Sequence, residues 1–166
     1  EIRIAVNLSP RQFRDPELVN FIENTIKQAK VSCQSLELEI TEGVLMSGHS
    51  NIDSALTALS NMGVCLAMDD FGTGYSSLSY LRNYPFNLLK IDRSFICDIT
   101  TDSAVCELVN ATVAMAHSLK LKVVAEGIET EEQLAYLKQL GCDYGQGYLF
   151  GKPAPADKIT DMFDRV

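Results

Sequence analysis

A chain of 166 residues that is 46% hydrophobic can bury one sizeable core and has the size of a single domain. Its 22 Asp and Glu residues outnumber its 14 Lys and Arg residues, and a net charge of -8 argues against nucleic acid or an anionic membrane surface as a partner. The sequence contains no apolar run long enough to span a membrane, and its five cysteines are scattered without a CxxC pair. We therefore expect a cytoplasmic protein without direct membrane insertion.

Six strand-then-helix units follow one another along the chain. The pattern predicts strands over residues 2–6, 36–41, 64–68, 88–91, 123–125 and 143–145. It predicts helices over residues 16–29, 52–62, 77–82, 105–120, 131–140 and 156–163. Asp15 is the expected N-cap of the first helix, and Thr130 and Gln133 form the capping box of the fifth.

Strands that alternate with helices imply a parallel sheet, and two architectures fit this α/β pattern. One is an open, doubly wound sheet, and the other is most of a (β/α)8 barrel of the TIM type. A complete barrel needs eight units and about 250 residues, so six units fit a barrel without its first two. Because the chain also lacks an initial Met, we expect residues 1–166 to be a partial domain of a longer protein.

Polar side chains stand at or just beyond the carboxyl end of every predicted strand. They are Asn7, Glu39, Glu42, Asp69, Asp70, Lys90, Asp92, Glu126 and Gln146. In a barrel these ends surround a single opening, where catalytic residues gather, whereas an open sheet would spread them along a line. The presence of polar side chains at all six strand ends favours the barrel and predicts a catalytic site at its opening.

Asp69 and Asp70 pose a geometric problem, because neighbouring residues of a strand point to opposite faces. We expect the strand to end between them and the backbone to turn, with Gly72 and Gly74 giving the necessary freedom. So many carboxylates cannot all stay ionised together without a cation. Oxygen ligands without a Cys or His cluster favour Mg²⁺ or Mn²⁺, and more than three carboxylates suggest two ions, as used in phosphate ester hydrolysis.

Six motifs carry a resemblance to a known family: VNLSPRQF, LELEITE, DDFGTGYSSL, LKIDRSF, VVAEGIET and GCDYGQGYLFGKP. In order and spacing they resemble the EAL-domain phosphodiesterases of bacterial cyclic di-GMP signalling, over essentially the whole chain. The resemblance implies a modified (β/α)8 barrel and metal-dependent hydrolysis of one phosphodiester bond of cyclic di-GMP, which gives linear pGpG.

The resemblance also assigns roles to the polar residues. It implies that Asn7, Glu39, Asp69 and Asp70 are metal ligands, with Asp70 shared with or belonging to a second ion. Lys90 would orient the attacking water with Asp92 beside it, Glu126 would be a ligand or general base, and Gln146 would hydrogen-bond within the site. Glu42 would stabilise the loop of residues 71–77, which the family links to metal binding and dimerisation, so a homodimer is expected.

The Glu-Ala-Leu signature itself is absent from the sequence. In relatives it precedes the VNLSP strand and supplies a metal ligand, so we expect the 166 residues alone to be weak or inactive. The resemblance implies sensory or GGDEF domains upstream, and a membrane anchor there is compatible with it. Two alternatives are a degenerate module that binds cyclic di-GMP as a sensor, and an interaction scaffold whose open sheet edges pair with a second copy.

Overall fold

The computed structural model of the chain describes residues 2–46, 51–72 and 78–163. Its strands form a six-stranded sheet in which every neighbouring pair is parallel. They are β1 (Ile4–Asn7), β2 (Leu36–Thr41), β3 (Cys65–Phe71), β4 (Leu88–Ile91), β5 (Lys122–Glu126) and β6 (Tyr144–Gln146).

Helices connect the successive strands, and a last helix follows β6. They are α1 (Leu18–Ala29), α2 (Glu42–Met46), α3 (Ile52–Asn61), α4 (Leu78–Asn83), α5 (Arg93–Cys97), α6 (Ser103–Ser118), α7 (Glu131–Gln139) and α8 (Ala156–Phe163). Two short 3-10 helices, Gln12–Arg14 and Cys33–Ser35, precede α1 and β2. None of the helices in the described part of the chain is long and apolar enough to cross a membrane.

The strands lie side by side in chain order, from β1 to β6. A doubly wound sheet reverses its strand order at a switch point, whereas a (β/α)8 barrel does not. The observed order is therefore that of six consecutive barrel strands, which confirms the barrel and excludes the open sheet. Within the described residues, β1 and β6 each pair with one strand only.

Successive side chains of each strand point to opposite faces of the sheet, and the two faces carry apolar layers of unequal size. One face of the sheet packs against the helices in a large core, to which β2 contributes Leu38 and Ile40. The opposite face holds a small separate cluster of Ala67, Leu88 and Val124. Because residues two apart share a face, the polar residues at the strand ends can continue this inner layer toward the site.

The strand boundaries differ slightly from the prediction. β1 begins at Ile4, and β3 continues to Phe71, three residues beyond its predicted end. The prediction that Asp15 is the N-cap of α1 is wrong: the N-cap is Glu17, and Asp15 Oδ1 accepts the Glu17 N–H at 2.9 Å in the turn that precedes the helix. The capping box of α7 is confirmed.

A candidate metal centre at the carboxyl ends of the strands

The strand register brings the predicted site residues to one edge of the sheet. Asn7 pairs with Glu39 across β1 and β2, and Glu126 pairs with Gln146 across β5 and β6. Asp69 pairs with Thr41 and so lies two residues beyond the level of Glu39. The carboxyl ends of parallel strands meet at one edge, so these side chains share one opening, as the barrel predicts.

Lys90 lies at the centre of this group. Its side chain is only 4% exposed, and its Nζ contacts three carboxylates from three different strands. Nζ lies 2.5 Å from Glu39 Oε1, 2.8 Å from Glu126 Oε1 and 3.0 Å from Asp69 Oδ1. One ammonium group therefore holds the ends of β2, β3 and β5 around β4.

The charges in this cluster shift the protonation of its members. Burial alone would lower the pKa of Lys90, but hydrogen bonds to Glu126 and Glu39 outweigh it and raise the pKa above its usual value. Burial raises the pKa of Glu126, and the negative charges of Asp69 and Glu39 add to this rise against the opposing effect of Lys90. One cation among so many carboxylates therefore leaves the cluster short of positive charge.

A β-bulge solves the geometric problem of the adjacent aspartates. Met68 pairs with Leu89, but the next pair is Phe71 with Ile91, so β3 carries one extra residue between them. Asp70 occupies the bulge with a φ of 55°, a left-handed conformation that is uncommon for residues other than glycine. The expectation that the strand ends between Asp69 and Asp70 is therefore wrong, because the bulge turns the backbone inside the strand. Gly72 has a φ of 99° just after it, and Gly74 lies outside the described residues.

The acidic residues fit a divalent cation. Asp69 Oδ1 is a buried oxygen that lies close to Lys90 but makes no aligned hydrogen bond. Oxygens of Asp69, Asp70 and Glu126 all lie within 4.8 Å of one another. Burial and the neighbouring Asp69 raise the pKa of Asp70. A group of hard oxygen donors with a single ammonium group among them is suited to Mg²⁺ or Mn²⁺.

The remaining predicted residues border this centre. Asn7 and Gln146 are exposed on β1 and β6. Asp92 caps α5, where its Oδ1 accepts the N–H of Ser94 at 3.0 Å and the Ser94 hydroxyl at 2.5 Å. The bond from the Ser94 hydroxyl is the main reason why the pKa of Asp92 is lowered.

Glu42 is buried at the start of α2, directly after β2. Residues 73–77 of the loop that it was predicted to stabilise lie outside the described residues.

The structure also shows a hydrogen bond that the sequence did not predict, from the side-chain nitrogen of Gln133 to the backbone carbonyl of Ile96. The capping box marks Gln133 as part of a helix start, but nothing in the sequence indicates which carbonyl group its amide nitrogen reaches.

Six successive parallel strands with an acidic, lysine-centred cluster at their carboxyl ends define a protein of the (β/α)-barrel class with a candidate metal site. The sequence model of the family described as "EAL domain" matches residues 1–153. The chain belongs to the EAL domain family.

Individual relatives agree with this assignment. The cyclic di-GMP phosphodiesterase NbdA of Pseudomonas aeruginosa is 46% identical over 161 residues, which cover 97% of the chain and 21% of that protein. The EAL domain of Mycobacterium smegmatis DcpA has a TM-score of 0.93 and 36% identity, with 99% of the chain and 74% of that structure covered. The PaMucR phosphodiesterase, solved as a complex with c-di-GMP, has a TM-score of 0.88 and 45% identity and covers 95% of the chain and 64% of that structure. The chain spans about a fifth of the length of the curated relatives it matches.

Proposed function

We propose that this chain forms the catalytic region of a phosphodiesterase that hydrolyses cyclic di-GMP to linear pGpG with two Mg²⁺ or Mn²⁺ ions. The main supporting observation is the cluster around Lys90, in which oxygens of Asp69, Asp70 and Glu126 lie within 4.8 Å of one another. The names of NbdA and of the PaMucR complex support the same substrate. The five free cysteines and the composition support a cytoplasmic location.

Each residue of the cluster has a role in this proposal. Asn7, Glu39, Asp69 and Asp70 would hold the cations, which neutralise the phosphate and make water a better nucleophile when bound. Lys90 Nζ would hold and orient the attacking water. Glu126, 2.8 Å from that ammonium, would accept a proton of the water or share in holding the cations. Water attacks the phosphorus atom, one phosphorus–oxygen bond to a ribose breaks, and the ribose oxygen takes up a proton.

The residues that border the centre would bind and orient the substrate. Gln146 pairs with Glu126 across the two strands, so its amide can hydrogen-bond to a phosphate or to a base at the opening. Asp92 follows Lys90 by two residues and is held as a helix cap, so we assign it a part in maintaining the end of β4. Glu42 would support the loop of residues 71–77.

The test uses the full-length protein with cyclic di-GMP and Mn²⁺, and chromatography detects pGpG. We expect Asp69→Asn to lower kcat by about 100-fold or more. Replacing groups that only surround metal ligands already costs about 10- to 100-fold, and Asp69 is a proposed ligand itself. It should also remove the rise in melting temperature that Mn²⁺ causes in the unsubstituted protein. The matched control is Asp98→Asn, an exposed aspartate at the end of α5, which should change neither quantity. Binding of cyclic di-GMP without pGpG would instead support the sensor, and an unchanged kcat in Asp69→Asn would exclude the assigned role.

A further inference from the structure

Gln133 makes hydrogen bonds in two directions from a buried position. Its residue is 6% exposed at the start of α7. The side-chain Oε1 accepts the backbone N–H groups of Glu129 at 2.8 Å and Thr130 at 3.1 Å. The side-chain Nε2 donates to the backbone carbonyl of Ile96 at 3.1 Å. A capping box requires only the bond to the N-cap N–H, so the bond to Ile96 is an additional connection.

The two segments joined by this amide directly follow two strands of the site. Ile96 belongs to α5, which begins three residues after Lys90. Glu129 lies three residues after Glu126, the last residue of β5. The amide of Gln133 therefore spans the gap between the segments that leave β4 and β5. Lys90 and Glu126 make their 2.8 Å contact across the same pair of strands.

Only an amide can make both connections. A glutamate at this position would satisfy the capping box equally well, but its second oxygen would face the carbonyl oxygen of Ile96, and both atoms are acceptors. A second link between the same segments, the Arg93–Glu129 ion pair of 2.7 Å, has side chains that are 58% and 41% exposed. Exposed ion pairs contribute little, so the buried amide is the stronger link.

We propose that Gln133 is a positioning residue, which fixes the end of β5 against the end of β4 and so holds Glu126 and Lys90 in register for metal binding and hydrolysis. Both parts of this inference rest on the proposed function, the hydrolytic part on its reaction and the metal-binding part on its cation site. Groups that hydrogen-bond directly to metal ligands typically change metal affinity or activity by about 10- to 100-fold when they are replaced. Gln133 acts one step further out, through the backbone, so we expect an effect at the lower end of this range.

The experiment compares, in the full-length protein, the loss of the Ile96 bond with the loss of part of the helix cap. Gln133→Glu keeps the oxygen that caps α7 but loses the bond to Ile96. Thr130→Ala removes the hydroxyl that accepts the Gln133 N–H at 3.2 Å and keeps the bond to Ile96. For each variant, electron paramagnetic resonance measures the Mn²⁺ affinity, and calorimetry measures the melting temperature. Steady-state kinetics with cyclic di-GMP as the substrate give kcat and KM.

We expect Gln133→Glu to weaken Mn²⁺ binding about tenfold and to lower kcat about tenfold with little change in KM. Thr130→Ala should stay within about twofold of the unsubstituted protein in both quantities, although it loses part of the helix cap. Equal effects of the two variants, or an unchanged Mn²⁺ affinity in Gln133→Glu, would overturn the proposal. If the unsubstituted protein makes no pGpG, the proposed reaction fails and the Mn²⁺ measurement alone decides this inference. If Gln133→Glu does not fold, Gln133→Met takes its place; it loses the bonds that Oε1 accepts as well as the bond to Ile96, and Mn²⁺ binding should again weaken about tenfold, against at most about twofold in Thr130→Ala.

Discussion

Lys90 shows how a single side chain can determine the state of a whole site. Its side chain is 4% exposed, and its ammonium group lies between carboxylates of β2, β3 and β5. A buried ammonium is costly unless it is paired, and buried carboxylates are costly for the same reason. The four groups therefore depend on one another, and removing the cation leaves three negative groups facing each other.

We expect Lys90→Met to lower the free energy of unfolding by about 3 kcal/mol in the presence of EDTA, because breaking a buried ion pair leaves uncompensated charge. Mn²⁺ should restore part of this loss by supplying positive charge. Urea unfolding at pH 7 measures both effects. Lys27→Met is the matched control, since Lys27 pairs with Glu23 at 67% side-chain exposure and should change stability by no more than about 0.5 kcal/mol. Equal losses in the two variants would contradict this account.

At the scale of elements, the end of β6 is held against the segment that follows β5. Ile128 N–H donates to Gln146 O, and Leu149 N–H donates to Ile128 O, both at 3.0 Å. Gly147 lies between these bonds, where a Cβ atom would come within 2.1 Å of the Ile128 carbonyl oxygen. This close backbone contact fixes β6 beside the end of β5, which carries Glu126.

Gly147→Ala should therefore force the two segments apart and lower the free energy of unfolding by about 2–3 kcal/mol, as overpacking does elsewhere. Gly43→Ala is the matched control. Gly43 lies in α2, and the nearest atom to an added Cβ is 4.0 Å away, so alanine should be neutral or stabilise by about 0.5 kcal/mol. Chemical denaturation measures both variants, and a tolerated alanine at 147 would show that the contact can relax at little cost.

Asp143 links α6, β5 and β6 at the edge of the sheet where the strands begin, opposite the candidate metal site. Its Oδ2 accepts the Val123 N–H at 2.9 Å and lies 2.9 Å from Nε2 of His117 in the last turn of α6. Burial alone would raise the pKa of Asp143, but the bonds from Val123 and His117 lower it. A carboxyl group whose pKa is lowered on folding stabilises the protein above its unfolded pKa of about 3.9, and this contribution is lost as the pH falls through the folded value.

Asp143→Asn should therefore be about 1 kcal/mol less stable than the unsubstituted protein at pH 7, the size of one such hydrogen bond. The difference should begin to shrink near pH 4, around the unfolded pKa, and should disappear only below the lowered pKa of the folded protein, where its carboxyl group is also neutral. Thermal unfolding between pH 2.5 and 7 measures the difference. A difference that stays constant over this range would mean that the charge of Asp143 does not contribute.

At the scale of the whole molecule, the first strand exposes apolar side chains. Ile4 and Val6 lie on the same face of β1 and are 64% and 43% exposed. β1 pairs only with β2 among the described residues. An edge strand with free backbone groups and apolar side chains can pair with another chain.

We expect the 166 residues, expressed by themselves, to self-associate through this edge. Replacing Ile4 and Val6 by Lys should weaken the association by about tenfold or more, because burying one aliphatic side chain contributes about 1.5 kcal/mol or more. Phe21→Lys is the control, since Phe21 is 68% exposed on α1, away from the strand. Light scattering after size exclusion measures the mass, and a monomer at all concentrations would refute the prediction.

Much of this architecture could be predicted because it depends on local patterns. Apolar runs bounded by Gly and polar residues define the six strands, and capping residues define the helix starts. Asn7, Glu39, Asp69, Lys90, Glu126 and Gln146 could be placed at one opening because parallel strands in a barrel share one carboxyl edge. The length of β3 was not predictable in this way, because a bulge at Asp70 depends on the pairing of β3 with β4.

The sequence alone determined the six strands and six of the helices, but not the short helices α2 and α5. It also determined that the sheet is parallel and that oxygen-bearing side chains stand at its carboxyl edge. These features follow from periodicity and chain order, which each segment carries within itself. Tertiary structure alone decided that Lys90 contacts three carboxylates, that a left-handed Asp70 turns β3, and that Gln133 joins α5 to α7. Each of these contacts joins residues of different strands or helices, and their distances exist only after the packed core has fixed the positions of those elements.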